Sequence, residues 1–240
     1  MKVISQNKLI KLQGNKKAKR KSINFANFIL NTKYVYHFKW LGVPTIQFPQ
    51  DLICLQEIIY STKPNVIIET GVAHGGTLLF YSSILKLLNI KNFKVFGIDI
   101  LIKKRNENNI KKNYLSKNIE LITGSSIAEE VHKILDYKIN DDDKVMVVLD
   151  SDHNADHVYN ELKLFKRFIK KDFYIVVLDT TIEFIDKKHI NKGRSFSKGN
   201  SPYTGVKKFL KENKDFKIDK YFENKAMITS AYSGFLKKIK

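Results

Sequence analysis

Acidic side chains stand at the ends of hydrophobic runs along this chain, and their types and positions could do chemistry. Glu69 closes Val66-Ile67-Ile68, Asp99 closes Val95-Phe96-Gly97-Ile98, Asp150 follows Leu149, and Asp179 follows Val177-Leu178. Ser125 and Ser126 come just after a fifth such run, residues 119–122. Short apolar, β-branched runs suit strands of a parallel sheet buried on both faces. In open sheets of that kind, ligands sit outside the carboxyl ends of the strands. Carboxylates placed there can accept hydrogen bonds from sugar hydroxyls, coordinate a hard cation, or move protons.

The first acid leads into a glycine turn, Glu69-Thr70-Gly71-Val72-Ala73-His74-Gly75-Gly76-Thr77. The spacing is Glu-x-Gly-x-x-x-Gly-Gly, which is neither the Gly-x-Gly-x-x-Gly of a dinucleotide turn nor a phosphate-cradling loop ending in Gly-Lys-Ser/Thr. Gly71, Gly75 and Gly76 let the backbone turn tightly and let a ligand approach where a Cβ would block it; a turn with purely structural glycines is the plainer alternative. Asp99 lies about 24 positions beyond the turn, where a ribose-binding acid belongs, and a helix cap is its other reading. Ser125 and Ser126 can bond an adenine edge or cap the next helix.

A second cluster is Asp150-Ser151-Asp152-His153-Asn154-Ala155-Asp156-His157, joined by Asp179-Thr180 from the neighbouring strand end. Oxygen ligands from two adjacent strand ends suit Mg²⁺, which keeps several waters and takes few carboxylates. Asp150 and Asp179 are the metal candidates. Asp150 and His153 are the catalytic candidates, His153 as a general base near neutral pH. Asp152 or Asn154 can instead cap the following helix, and His157 reads as a surface or packing residue. His153 and His157 have no glutamate between them in the metalloprotease manner and no third ligand in view, which argues against zinc. No Gly-x-Ser-x-Gly elbow supports serine hydrolase chemistry.

The elements that must position these residues follow from periodicity. Residues 52–59 form an amphipathic run that Asp51 could cap. From residue 66 onward strands and helices alternate, which predicts a Rossmann-like α/β fold with a doubly wound, mostly parallel seven-stranded sheet. Strands are expected at 66–68, 94–99, 119–122, 144–149 and 173–178, and helices at 77–88, 129–137, 156–170 and 202–211. Residues 216–221 and 226–236 would supply an antiparallel C-terminal edge. The polar stretch 183–201 reads as a lid or acceptor loop, and residues 38–51 as an ordered extended segment. Residues 1–22 form a basic arm or frayed helix and residues 23–37 a short helix. The expected organisation is therefore an N-terminal arm and helix over 1–37 and one domain over 38–240.

Composition bounds the rest. The chain has 240 residues, a net charge of +19 and one cysteine, Cys54. That excludes an internal disulfide framework and a cysteine-rich zinc site, and it fits a reducing compartment. With no long apolar span and no signal-peptide pattern, a cytoplasmic location is expected. The charge invites a nucleic-acid partner, but it is lysine scattered over helix surfaces, with arginine scarce and no basic-aromatic ladder. Contact with anionic glycans or with a membrane surface, through the basic N-terminal arm, suits it as well. An edge strand or the aromatic N-terminal region could make a homo-oligomer.

The loop Glu69-Thr-Gly-Val-Ala-His-Gly-Gly resembles the cofactor loop of class I S-adenosylmethionine (SAM) methyltransferases. Together with Trp40-Leu-Gly-Val-Pro, Gly97-Ile-Asp-Ile, Leu149-Asp-Ser-Asp-His and Gly199-Asn-Ser-Pro, it resembles the cephalosporin hydroxylase (CmcI-like) and rhamnosyl O-methyltransferase family from residue 38 to the C-terminus. The resemblance implies a SAM-dependent O-methyltransferase with a metal site, acting on a hydroxyl of a sugar, glycolipid or small-molecule natural product. Glu69, Gly71, Ala73, His74, Gly75, Gly76 and Asp99 would hold SAM, and Asp150, Asp152 and Asp179 a Mg²⁺ ion. This chain departs from the family at Leu178, where an acid often precedes the aspartate, and at Leu101, where a second acid often follows Gly-Ile-Asp-Ile. Two rivals stand beside this reading: a nucleic-acid methyltransferase, and a non-catalytic SAM-binding relative.

Overall fold

The computed structural model describes residues 15–186 and 193–240. Helix α1, Lys16–Asn31, leads into a two-stranded ribbon of β1, Lys39–Trp40, and β2, Val43–Pro44, and then into helix α2, Pro49–Thr62. The alternating part follows as β3 (Val66–Thr70), α3 (Gly76–Leu87), β4 (Lys94–Asp99), α4 (Lys104–Lys111), β5 (Ile119–Thr123), α5 (Glu129–Lys138), β6 (Val145–Leu149), α6 (Ala155–Phe165) and β7 (Tyr174–Val177). Helix α7 (Pro202–Glu212), β8 (Phe216–Ile218), α8 (Lys220–Ala226) and β9 (Phe235–Lys238) complete it. Strand order in the seven-stranded sheet is β5-β4-β3-β6-β7-β9-β8. Neighbours from β5 to β7 pair in parallel, and β9 runs antiparallel to both β7 and β8. This is the expected doubly wound sheet with an antiparallel C-terminal element at its edge.

Side-chain alternation divides the core between the two faces of the sheet. Ile67, Val95, Met146, Val148 and Val176 join Leu55, Ile58 and Ile59 of α2 and Leu78, Tyr81 and Leu85 of α3. Val66, Ile68, Phe96, Val147 and Ile175 turn the other way, toward Leu135 of α5, Leu162 and Phe165 of α6, and Phe209 of α7. The strand order reverses between β3 and β6, so their carboxyl ends flank the crevice where such sheets bind ligands.

The glycines of the turn admit protein rather than ligand. A Cβ on Gly71 would lie 2.0 Å from the carbonyl oxygen of Asp150, one on Gly75 2.2 Å from Ile110, and one on Gly76 2.1 Å from the Thr45 hydroxyl. Bare glycine thus lets β6, α4 and the lead-in segment close around the loop. That segment is fixed in turn by Trp40, whose indole donates to the Ser83 hydroxyl at 3.1 Å and meets Phe80 edge-on at 4.9 Å.

Several element boundaries differ from expectation. The first helix runs from Lys16 to Asn31, so of the two readings given for residues 1–22 the helix holds over 16–22 and joins the short helix expected after it; residues 1–14 lie outside the described residues. Helix α4 falls among the basic residues of 103–117 after β4, where no helix was expected. The expected strand 216–221 ends at Ile218, where α8 follows over Lys220–Ala226, and the expected strand 226–236 begins only at Phe235. Between them, Met227 and Ser233 have left-handed φ of 56° and 59°, which no strand accommodates. Asp51 does not cap α2: Phe48 occupies that position with Pro49 at the first helical position, and Asp51 turns inward with no solvent exposure.

Glu69 locks β3 to α3. It is 1% exposed, and its carboxylate accepts from the Thr77 hydroxyl and from the Tyr81 hydroxyl, the latter at 2.7 Å. Burial pushes it up from 4.5 to about 7, against the opposing pull of those two hydrogen bonds.

Two outcomes follow. With its native φ of +86° and the Asp150 carbonyl in the way, Gly71→Ala should cost about 3 kcal/mol or more in chemical denaturation. Gly42→Ala, at φ +85° with open space around it, should cost only about 1 kcal/mol; equal losses would show that the contact with β6 does not constrain the turn. For Glu69 the folded state binds the proton more tightly than the unfolded state. Its contribution is therefore complete below pH 4.5 and is lost as pH rises toward and through about 7. That loss is on the order of 3 kcal/mol. Glu69→Gln should remove this part of the decline, seen as a flatter stability profile than that of the native protein across the same window.

Candidate active site

The carboxyl ends of β6 and β7 bring Asp150 and Asp179 together with His153. One ligand atom from each of the three lies within 4.8 Å of the others. His153 Nε2 is 3.1 Å from Asp179 Oδ2. Its ring also packs on Phe196, 5.0 Å between centroids, so the segment 193–201 reaches over the cluster. Asp179 adopts a left-handed backbone at φ 54°, a conformation aspartate tolerates better than most residues. It turns the chain out of β7 into the 3₁₀ turn Thr180–Phe184.

Each acid is held from behind. Asp150 Oδ2 accepts from Gln47 Nε2 at 2.7 Å, and its amide donates to the Thr70 carbonyl at 3.0 Å. The Asp179 side is anchored through the residues that follow it. The Thr180 hydroxyl donates to the Ser230 carbonyl at 3.0 Å, and the Thr181 hydroxyl to the Thr229 carbonyl at 2.7 Å. The 229–230 turn is in turn gripped by Asp51, which accepts from the Thr229 hydroxyl, the Ser230 amide at 2.7 Å and the Ser230 hydroxyl at 2.9 Å.

Negative charge accumulates at this end of the sheet. Burial, then the charges of Asp179 and Glu69, push Asp150 well above the usual carboxylate range, against the pull of the Gln47 hydrogen bond. Burial likewise raises Asp51 from 3.8 to about 6, with its hydrogen bonds opposing and Asp179 adding. Two carboxylates and an imidazole converging amid uncompensated negative charge fit a divalent cation.

Asp152 does not join the cluster, which corrects its place among the metal candidates. It is exposed, and its Oδ1 accepts from the amide of Asn154 at 2.8 Å and from the Asn154 side chain. That local turn points it away, because a two-residue Asx turn satisfies the carboxylate within its own loop. Thr180 adds no ligand either, its hydroxyl being committed to Ser230. Leu178, where the resemblance puts an acid, is 1% exposed within the core.

Asp99 ends β4 beside the glycine turn. Its Oδ2 accepts from the Val72 amide at 2.9 Å and its Oδ1 from the Leu101 amide at 3.0 Å; the cap of α4 is Lys103 instead. Ala73 and His74 are exposed at the tip of the turn. Glu69 lies beneath them with both oxygens engaged, so it supports the turn rather than reaching into the crevice. Ser126 is buried, with its hydroxyl 3.0 Å from His157 Nε2, while Ser125 is half-exposed at the strand end. Neither caps α5, whose cap is Ala128. His157 thus packs inside, and the Glu161 carboxylate raises it above its usual value against the opposing effect of burial.

Sequence reasoning missed Gln47, Asp51, Phe196 and Ile100. Ile100 is 74% exposed directly after Asp99, an apolar side chain beside a carboxylate of the crevice. Only Ile100 carried a local signal, as the residue following a strand-end acid. The other three act through contacts 103, 179 and 43 positions away in the chain.

Known proteins share this architecture. The family model described as Rhamnosyl O-methyltransferase/CmcI matches residues 32–239. A rhamnosyl O-methyltransferase of Mycobacterium leprae is 28% identical over 214 residues, covering 88% of this chain and 86% of its own. The Mycobacterium tuberculosis H37Rv protein of that name is 28% identical over 198 residues, covering 82% of this chain and 76% of its own. Among solved structures, CmcI without ligand superposes with a TM-score of 0.60 at 16% identity, over 85% of this chain and 77% of that one. CmcI with Mg and SAM gives 0.57 at 17%, over 85% and 78%. A match along most of its length to the family model, on the fold seen in those structures, means that this chain belongs to the rhamnosyl O-methyltransferase/CmcI family.

Proposed function

We propose that this protein is a SAM-dependent O-methyltransferase whose site takes a divalent cation, Mg²⁺ in the first instance. Its acceptor is a hydroxyl of a sugar, glycolipid or small-molecule natural product. The observation that carries the reading is the convergence of Asp150, His153 and Asp179 at the carboxyl ends of β6 and β7, next to the strand-order reversal. Relatives named for rhamnosyl O-methylation and a CmcI structure with Mg and SAM support it.

Asp99 would hold the ribose of SAM, with Ala73, His74 and the backbone of the turn around its amino-acid part, and Ile100 and Ser125 beside the adenine. Asp150 and Asp179 would hold the cation, which when bound supplies positive charge that lowers the pKa of an acceptor hydroxyl. His153 takes the hydroxyl proton, and the Asp179 carboxylate orients its ring and stabilises the imidazolium that results. SAM, when bound, would supply the methyl group, its C–S bond breaking as the O–C bond to the acceptor forms and S-adenosylhomocysteine leaving. Alignment of the two substrates carries much of the rate. Phe196 and the segment around it keep water from the imidazole.

Calorimetry with SAM, with and without Mg²⁺, on the native chain and on Asp150→Asn tests the assignment. SAM binding by both, with Mg²⁺ binding lost in the variant, is the expected result. No SAM binding at all would sink the whole reading, whereas Mg²⁺ binding indifferent to the variant would sink only the metal site. His153→Gln should lower kcat by roughly 10²- to 10⁴-fold with SAM affinity unchanged. A variant as fast as native would remove His153 from proton transfer.

A further inference from the structure

Helix α1 packs one face on the domain and leaves the other in water. Ser22, Ala26 and Ile29 are buried. Asn27 donates to the Phe184 carbonyl at 3.4 Å and accepts from the Asp186 amide at 3.2 Å. Lys19 belongs to this inner side: it pairs with Glu223 at 3.3 Å and lies over the rings of Phe184 and Tyr232. The outer side begins with Lys16, Lys17, Arg20 and Lys21, all exposed, and the helix contains no acid. Its next turns present Phe25 and Phe28, 48% and 65% exposed, their centroids 6.4 Å apart. Helical spacing of three and four residues puts Lys17, Arg20, Lys21, Asn24, Phe25 and Phe28 on one stripe.

We propose that this stripe is an interfacial anchor that docks α1 on an anionic lipid bilayer. Lys17, Arg20 and Lys21 meet headgroup phosphates, and Phe25 and Phe28 enter the boundary between headgroups and acyl chains, as basic amphipathic helices with exposed aromatics do. The order of the residues favours a bilayer over the alternatives. A single-stranded nucleic acid would call for rings interleaved with cations along a groove, whereas here the cations come first and the rings follow as a pair. A second copy would bring two cationic stripes together in a chain of net charge +19, which like-charge repulsion opposes. The 14 residues before the described part add Lys2, Lys8 and Lys11 and no acid, so the sequence continues the same sign. The inner face of α1 rests on Phe184 and Asp186, a few residues beyond Asp179, so docking would hold that segment close to lipid.

Vesicle flotation of the full chain tests this, using neutral phosphatidylcholine and phosphatidylcholine with roughly one-third phosphatidylglycerol. Binding to the anionic vesicles alone, weakening with added salt, is expected. Phe25→Ala with Phe28→Ala should reduce that binding ~10-fold or more while thermal melting stays native, since both rings are exposed. Lys17→Gln, Arg20→Gln and Lys21→Gln together should act in the same direction. Native-like flotation of the double phenylalanine variant overturns the proposal, as does equal binding to neutral vesicles. Absence of flotation overturns it too: tight binding to polyuridylate would then make the stripe a nucleic-acid surface, and a concentration-dependent dimer lost in the double variant would make it a subunit interface.

Discussion

A carboxylate with no contact with solvent, Asp51, holds the catalytic end of this fold together. It accepts three hydrogen bonds from Thr229 and Ser230, and the carbonyls of those two residues hold Thr181 and Thr180. Three segments far apart in sequence are thus chained together through residues 229–230: the first turn of α2, the turn before β9 and the start of the 3₁₀ turn after β7. Burying the group is costly, as its raised pKa records, and only a complete set of donors offsets that cost. The same set leaves little freedom in how Thr180 and Thr181 sit. Asp179 immediately precedes them, so its unusual backbone is fixed from outside its own strand, as strained residues at functional sites usually are.

Asp150 has the complementary arrangement. Gln47 comes from the lead-in segment and Thr70 from the adjacent strand, so one acid of the pair is positioned by the N-terminal part of the chain and the other by the C-terminal part. The two halves meet at Gly71, where the absence of a Cβ sets how closely β3 and β6 can approach. Four carboxylates, Glu69, Asp51, Asp150 and Asp179, then influence one another through a region of low dielectric. In a protein with 43 basic and 24 acidic residues, this concentration of negative charge is local and enclosed. A cation bound there would be screened less than a surface lysine, because Asp51 and Glu69 are buried behind the partly exposed Asp150 and Asp179.

Legibility in the sequence tracked how local each cause was. The five parallel strands could be read because burial on both faces demands continuous apolar runs, and their carboxyl ends could be read because polar residues must resume there. Asp99, Asp150 and Asp179 were therefore visible. Asp152 looked equivalent to Asp150, since two positions along a loop carry no period that separates inward from outward; an Asx turn with Asn154 decided it. The stretch 226–236 has strand-like composition, yet residues 229–230 spend their hydrogen bonds on Asp51, Thr180 and Thr181 instead of on a ladder. Gln47, Asp51 and Phe196 act only across long separations, and nothing in their own neighbourhoods marks them. The glycines were read in the right places for an incomplete reason: they make room for Asp150, Ile110 and Thr45.

The two signs of charge therefore divide the molecule by depth. The acids of the site lie at the strand ends, with Asp51 of α2 behind them, so their positions are set by geometry and tolerate little change. Basic residues lie outside, mostly as lysine on long flexible stems, and act through a summed field that many substitutions would preserve. Helix α1 is the exception on the basic side, because there the cations share a stripe with two phenylalanines that solvent alone does not favour. It also touches the segment that carries Asp179 onward. With α1 docked on lipid as proposed, a surface selecting by sign and apolarity would lie on the element that contacts the segment after Asp179. Such a pairing would suit an enzyme whose acceptor is brought to it at an interface rather than by free diffusion.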